Sequence, residues 1–220
     1  MSKVSKGYMG EVIGKLGPAV GRQWKGKNVM SAYQKFPHNP RTEAQQLVRA
    51  RFKRLSQLSS PLRAALLEGM ERYAKREVIT ECNAFVRENW PNVTALTPDD
   101  VTVNYSALTL TKGDLPEATF GAVDYGTTTH LHIECPLTGG SDQPGASTND
   151  RVYLVALCPD RGQAVLGAPS LRSADKVSVN VPASWDGMEV HVYGFAIGAK
   201  DSRNPGKASA TGYCGSGEVA

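Results

Sequence analysis

The chain has 220 residues, 40% hydrophobic and 21% charged, enough for one good core or two small ones and too apolar for a disordered segment. No stretch reaches the roughly eighteen uninterrupted apolar residues of a membrane span, and residues 1–10 lack the apolar centre of a secretory signal. The expected setting is therefore the cytoplasm of the producing cell, unless a phage or a non-classical route carries the protein out.

The net charge of +4 is unevenly spread. Residues 1–60 carry twelve Lys and Arg against Glu11 and Glu43, a surplus of +10, while the other 160 carry 13 basic and 19 acidic side chains, a balance of −6. A basic end seeks an anion, and the acidic body of another copy is one.

Residues 1–40 read as an extended basic arm. Glycines at 7, 10, 14, 17, 21 and 26 oppose a helix, since each interior glycine costs about 1 kcal/mol relative to alanine. They suit an extended ribbon or hairpin whose backbone lies close to another surface. Val12, Ile13, Leu16, Val20 and Trp24 are more apolar than a solvated tail and call for a partner surface, on the chain's own body or on a neighbouring subunit. A phosphate loop is set aside: Gly14-Lys15-Leu16 lacks the hydroxyl that follows lysine in such loops, and Gly17-Pro18 stops a helix.

Residues 41–92 read as helical. Thr42 and Gln45 form a capping-box pair, and Ala44, Leu47, Val48, Arg51, Phe52, Leu55 and Leu58 recur at helical spacing. Arg49, Lys53 and Arg54 lie mostly off that stripe, on a basic side facing solvent or an anion. Ser60-Pro61 starts a second helix anchored by Leu62, Ala65, Leu66, Met70 and Tyr73. A third runs through ITECNAFVRENW, with Ile79, Phe85, Val86 and Trp90 as anchors, and stops at Pro91. Three such helices make a small bundle or a brace.

Residues 98–220 change texture to alternating, β-branched runs broken by Gly, Pro, Asn and Asp. Candidate strands are 101–104, 107–111, 118–123, 129–135, 151–158, 163–167, 176–181, 189–197 and 209–214. The expected class is α+β, with the strands in an antiparallel immunoglobulin- or fibronectin-like sandwich. RVYLVALCP and HVYGFAIGA read as buried central strands, Trp185 as an aromatic plug, and residues 138–150 as the longest loop.

For chemistry, His130, His132 and Glu134 share one side of a strand, as a metal site requires, but period-two polar residues are also the solvent side of any half-exposed strand. No metal and no cofactor are assigned. Cys82, Cys135, Cys158 and Cys214 are scattered without a CxxC pair and read as reduced thiols. No serine or cysteine nucleophile has a recognisable base, and the chain reads as a non-enzyme.

The remaining expectation is contact. Lys15, Arg22, Trp24, Lys25, Lys27, Arg41, Arg49, Lys53 and Arg54 are the residues expected to meet a partner, either another subunit in self-association or other structural proteins. Nucleic acid competes, because Trp24, Tyr33 and Phe36 interleave with Lys25, Lys27, Lys35 and Arg41 as stacking and phosphate-binding groups do.

SKGYMGEVIGKLGPAVGRQWKGKNVM, NPRTEAQQLVRARF, SPL, VNYSALTLTKGDLP and PASWDGMEVHVYGFA occur in that order over nearly the whole chain. In these segments the chain resembles a family of unknown function found mainly in Bacteroidota. The resemblance carries over no catalytic residue. Its layout of anchoring arm, helical brace and immunoglobulin-like module is similar to that of phage or prophage structural proteins, which implies a structural, oligomeric role.

Overall fold

The computed structural model describes residues 3–4, 12–36, 39–126, 132–137, 144–200, 202 and 204–219. They fall into two compact units, residues 1–42 and 43–220.

In the first unit the glycine-spaced segment is a meander of antiparallel strands: β1 (Lys3–Val4), β2 (Val12–Leu16), β3 (Ala19–Trp24) and β4 (Lys27–Ala32), paired in that order. Two tight turns set the register. Gly17, at φ 56°, and Pro18 join β2 to β3 where Leu16 faces Ala19. Lys25 and Gly26 both take positive φ, 46° and 75°, the pattern of the type I′ hairpin turn, and Trp24 faces Lys27 across it. Gly21 is needed for close approach, because a β-carbon there would lie 2.0 Å from the Val12 carbonyl oxygen.

The second unit is α+β, as expected from the sequence. Helix α1 (Glu43–Ser59) buries Leu55 and Leu58, but Val48 and Phe52, assigned to its apolar stripe, are each 52% exposed. Arg51 and Arg54 take the packed side instead. Arg51 donates to the Trp90 carbonyl and stacks 4.4 Å from its ring, and Arg54 donates to the Tyr105 hydroxyl at 2.9 Å. Gln45 does not complete a capping box, since its side-chain oxygen is buried without a partner.

The second predicted helix is two: α2 (Arg63–Gly69) and α3 (Glu71–Glu77). They break beside Gly69, where a β-carbon would lie 2.1 Å from the Thr111 methyl. Val78 ends α3 in the left-handed region, φ 58°. Thr80 caps α4 (Glu81–Asn89) by accepting from the Asn83 N–H at 3.2 Å.

A short hairpin, β5 (Val93–Ala95) with β6 (Val101–Val103), leads to the main sheet. There β8 (Arg151–Cys158) pairs with β9 (Gln163–Leu166) and β10 (Ser170–Leu171) on one side and with β12 (Glu189–Ile197) on the other, and β13 (Gly212–Glu218) adds to β12. A second pair, β7 (His132–Pro136) with β11 (Lys176–Asn180), lies over one face of that sheet. Between them Val152, Leu154, Ala156, Val190 and Val192 meet Ile133, Cys135, Val177, Val179 and the wholly buried Trp185. On the opposite face Tyr153, Val155, Leu157, Tyr193 and Phe195 pack on Leu55, Leu62, Leu66, Met70 and Phe85 of the helical layer. Both faces of β8 are thus covered, which is why its sequence is apolar without alternation.

Two predicted strands are absent as such. Ala107 closes a 3-10 turn (Tyr105–Ala107), and the backbone that follows is bonded to side chains: Asn89 accepts from the Thr109 N–H and donates to its carbonyl, each at 2.8 Å, and Thr211 Oγ1 accepts from the N–H groups of Leu110 and Thr111. Residues 118–123 hold only single bridges, Phe120 with Leu137 and, just beyond, Asp124 with Glu134.

Candidate contact face of the N-terminal sheet

Residues directly opposed across an antiparallel ladder share a face, and successive residues along a strand change face. The register pairs Lys15 with Val20, Val20 with Ser31, Arg22 with Val29 and Trp24 with Lys27. One face of the sheet therefore carries Ile13, Lys15, Val20, Arg22, Trp24, Lys27, Val29 and Ser31. The other carries Val12, Gly14, Leu16, Ala19, Gly21, Gln23, Asn28, Met30 and Ala32.

The first face is basic and apolar at once. Trp24 is 51% and Ile13 47% exposed, and Arg22, Trp24 and Val29 line a shallow recess. Lys15 Nζ stands 3.8 Å above the Tyr33 ring, whose N–H extends the pairing to the Pro18 carbonyl at 2.6 Å. Residues 12–36 hold five Lys and Arg and no acidic residue, so nothing within this stretch neutralises the field they make. A cation beside an exposed aromatic ring suits a carboxylate-rich protein surface, and equally phosphates with stacked bases.

The structure brings together Lys15, Arg22, Trp24 and Lys27 from the expected contact residues. Lys25 occupies the β3–β4 turn and Arg41 the segment after β4. Arg49, Lys53 and Arg54 belong to the second unit, where Arg49 and Lys53 are exposed on α1 while Arg54 is committed to Tyr105. Tyr33 and Val29 join the face only through strand register, which the two-residue turn at Lys25-Gly26 would have supplied.

The metal candidates divide. His132 Nε2 meets Glu134 Oε1 at 3.0 Å, and His132 Nδ1 meets the Asn180 side chain. Glu134 is held by Lys176, 2.8 Å from each carboxylate oxygen, and that bond keeps its carboxyl below the usual range. His130 lies outside the described residues. Among the described residues no three His, Cys, Asp or Glu side chains are grouped to hold a metal ion, and no helix is long and apolar enough to cross a membrane.

A family model described as "Family of unknown function (DUF6266)" matches residues 10–210. The chain belongs to this family. No curated protein and no solved structure matches it. The matched stretch takes in β2–β4 of the sheet as well as the helices and most of the strands of the second unit, so the contact face lies within the family's common region.

Proposed function

We propose that this is a non-enzymatic assembly protein, a phage or prophage virion or filament component, whose N-terminal sheet docks on an acidic surface of a neighbouring subunit. One observation carries the reading: a sheet of three short strands and a two-residue fourth leaves Ile13 and Trp24 on its basic face, and Leu16 and Met30 on the other, each 47–59% exposed. A sheet this small gains little stability from its own contacts, and apolar side chains left on it are area for a partner to bury. Charge supports the same reading. The first unit carries eight basic residues against one acidic, +7, and residues 43–220 carry 17 against 20, −3, so copies attract arm to body.

Size-exclusion chromatography with light scattering tests it. The full chain should assemble, and a variant lacking residues 1–40 should stay folded, with its near-ultraviolet circular dichroism retained, and be monomeric. A full chain that is monomeric at high concentration overturns the proposal. The second reading, sequence-nonspecific nucleic-acid binding by the same face, is favoured by the alignment of Lys15, Arg22 and Lys27 beside Trp24 and Tyr33. It requires a complex at low salt that dissolves toward physiological salt as counterions are released. A gel shift without a complex at low salt removes it.

A further inference from the structure

The second unit holds a different feature that neither reading uses. A cavity of about 380 Å³ is lined by Arg72 and Arg76 of α3, Lys112 of the 112–114 loop and Lys207 of the loop before β13, with the Tyr73 ring in its wall. Four cations from three distant segments converge there although residues 43–220 carry a net negative charge.

The walls are firmly held. Arg72 donates to the Pro205 carbonyl at 2.9 Å, tying α3 to the 205–208 loop. The Leu115 N–H donates to the Ala208 carbonyl at 3.1 Å, and a β-carbon on Gly113 would lie 2.1 Å from that same oxygen, so the two loops are in backbone contact. The Lys207 main chain is bonded on both sides, its N–H to Asn204 and its carbonyl to Gly198. Lys112 and Arg76 stand 5.0 and 5.4 Å from the centre of the Tyr73 ring.

Charge neutralisation is incomplete. Lys112 is paired with Glu88, which also accepts from the Tyr73 hydroxyl, and Arg76 with Glu77 at 3.5 Å. Arg72 donates to the neutral Pro205 carbonyl, and among the described residues neither Arg72 nor half-buried Lys207 has a carboxylate partner. Among the described residues one acidic side chain, Asp114, lines the space. Two of the four cations thus have no carboxylate partner among the described residues, and they stand in a concave site beside two more. Converging guanidinium and ammonium groups match a dianion with several acceptor oxygens, since arginine presents a fork and lysine a point charge. A cavity of this volume also exceeds a lone inorganic ion and falls in the range of small-molecule sites.

We propose that this cavity binds a small organic phosphate, with Arg72 and Lys207 as the principal ligands of the phosphoryl group and Lys112 and Arg76 supplying the surrounding positive field. Binding by the phosphoryl group alone would accept sugar phosphates and nucleoside monophosphates alike. A base or sugar requirement would narrow it to one.

Isothermal titration of the full chain with ribose 5-phosphate, adenosine monophosphate, inorganic phosphate and succinate tests it. At least one organic phosphate should bind with a Kd of about 1 mM or tighter, and succinate more weakly. Lys207→Ala and Arg72→Ala should each weaken that binding about tenfold or more, as loss of a charge-assisted hydrogen bond does. Arg22→Ala on the N-terminal sheet should leave it unchanged, which separates this site from the contact face. If Arg72→Ala loses its near-ultraviolet signal, Lys207→Gln, which removes the charge from an unpaired side chain, carries the test. No saturable binding of either organic phosphate, or binding untouched by the Lys207 variants, overturns the proposal.

Discussion

Trp185 and Trp24 have the same side chain and opposite fates. Trp185 is wholly buried under the β7–β11 pair and donates its indole N–H to Gln163 at 3.0 Å, whereas Trp24 stands half exposed beside Arg22. The arginines divide likewise. Arg172 is enclosed, paired with Asp150 at 3.5 Å and bonded to the Pro116 and Glu117 carbonyls, while Arg22 is exposed. In the body Trp185 and Arg172 are consumed in holding the fold. In residues 12–36 Trp24 and Arg22 are left for something else, and the separation of stability from contact is open to direct test.

The largest effect should come from Arg172→Ala. Removing one partner of a buried pair leaves an uncompensated charge on Asp150, whose side chain is fully enclosed. Urea unfolding should show a loss of about 3–5 kcal/mol, and a loss below about 1 kcal/mol would mean that this pair does not secure the body.

A smaller effect is expected on acidification. His191 stacks on Tyr105 with ring centres 4.6 Å apart and meets the Tyr213 hydroxyl at 2.9 Å, and burial holds its pKa below the ordinary value. The unfolded chain therefore takes up the proton first, so stability is full above about pH 6.5 and falls as the pH drops below it toward the folded-state pKa. His191→Phe should remove that part of the slope, and an unchanged slope in denaturant titrations between pH 7 and 5 would refute the assignment.

Smaller still, Val78→Gly should stabilise by up to about 1 kcal/mol, because a β-branched residue is strained at φ 58° and this one is 39% exposed. A fall in the melting temperature would show that the Val78 side chain contributes more by packing than its backbone costs. The smallest change in body stability belongs to Trp24→Ala, within about 0.5 kcal/mol as for an exposed substitution, together with loss of assembly in light scattering. Assembly that survives Trp24→Ala and Arg22→Ala together would locate the contact elsewhere.

Much of the body was legible because its signals are local. The apolar run of β8 and β12, the anchors Phe85 and Trp90 around α4 and the plug at Trp185 follow from patterns a few residues long. The misread parts depend on distant partners. Arg54 reads from the sequence as part of the helix's basic side because Tyr105, its partner, is 51 residues away. Residues 107–111 alternate like a strand, yet Ala107 closes a 3-10 turn and the backbone of 109–111 bonds to the side chains of Asn89 and Thr211, twenty and about a hundred positions off. For the contact face, the residue types were visible in the sequence and their common side was not, since that required the register set at Gly17-Pro18 and Lys25-Gly26. The phosphate cavity left no local trace, being assembled from positions 72–76, 112–114 and 207–208.

The coverage of β8 on both faces has a consequence for how the body comes apart. Its odd-numbered residues Tyr153, Val155 and Leu157 belong to the helical core and its even-numbered residues Val152, Leu154 and Ala156 to the other, so one strand is a party wall between two apolar rooms. Neither room can be emptied while the wall stands, and neither survives its fall. Residues 43–220 should accordingly melt as a single cooperative block despite their layered look, with helices and strands lost at one temperature.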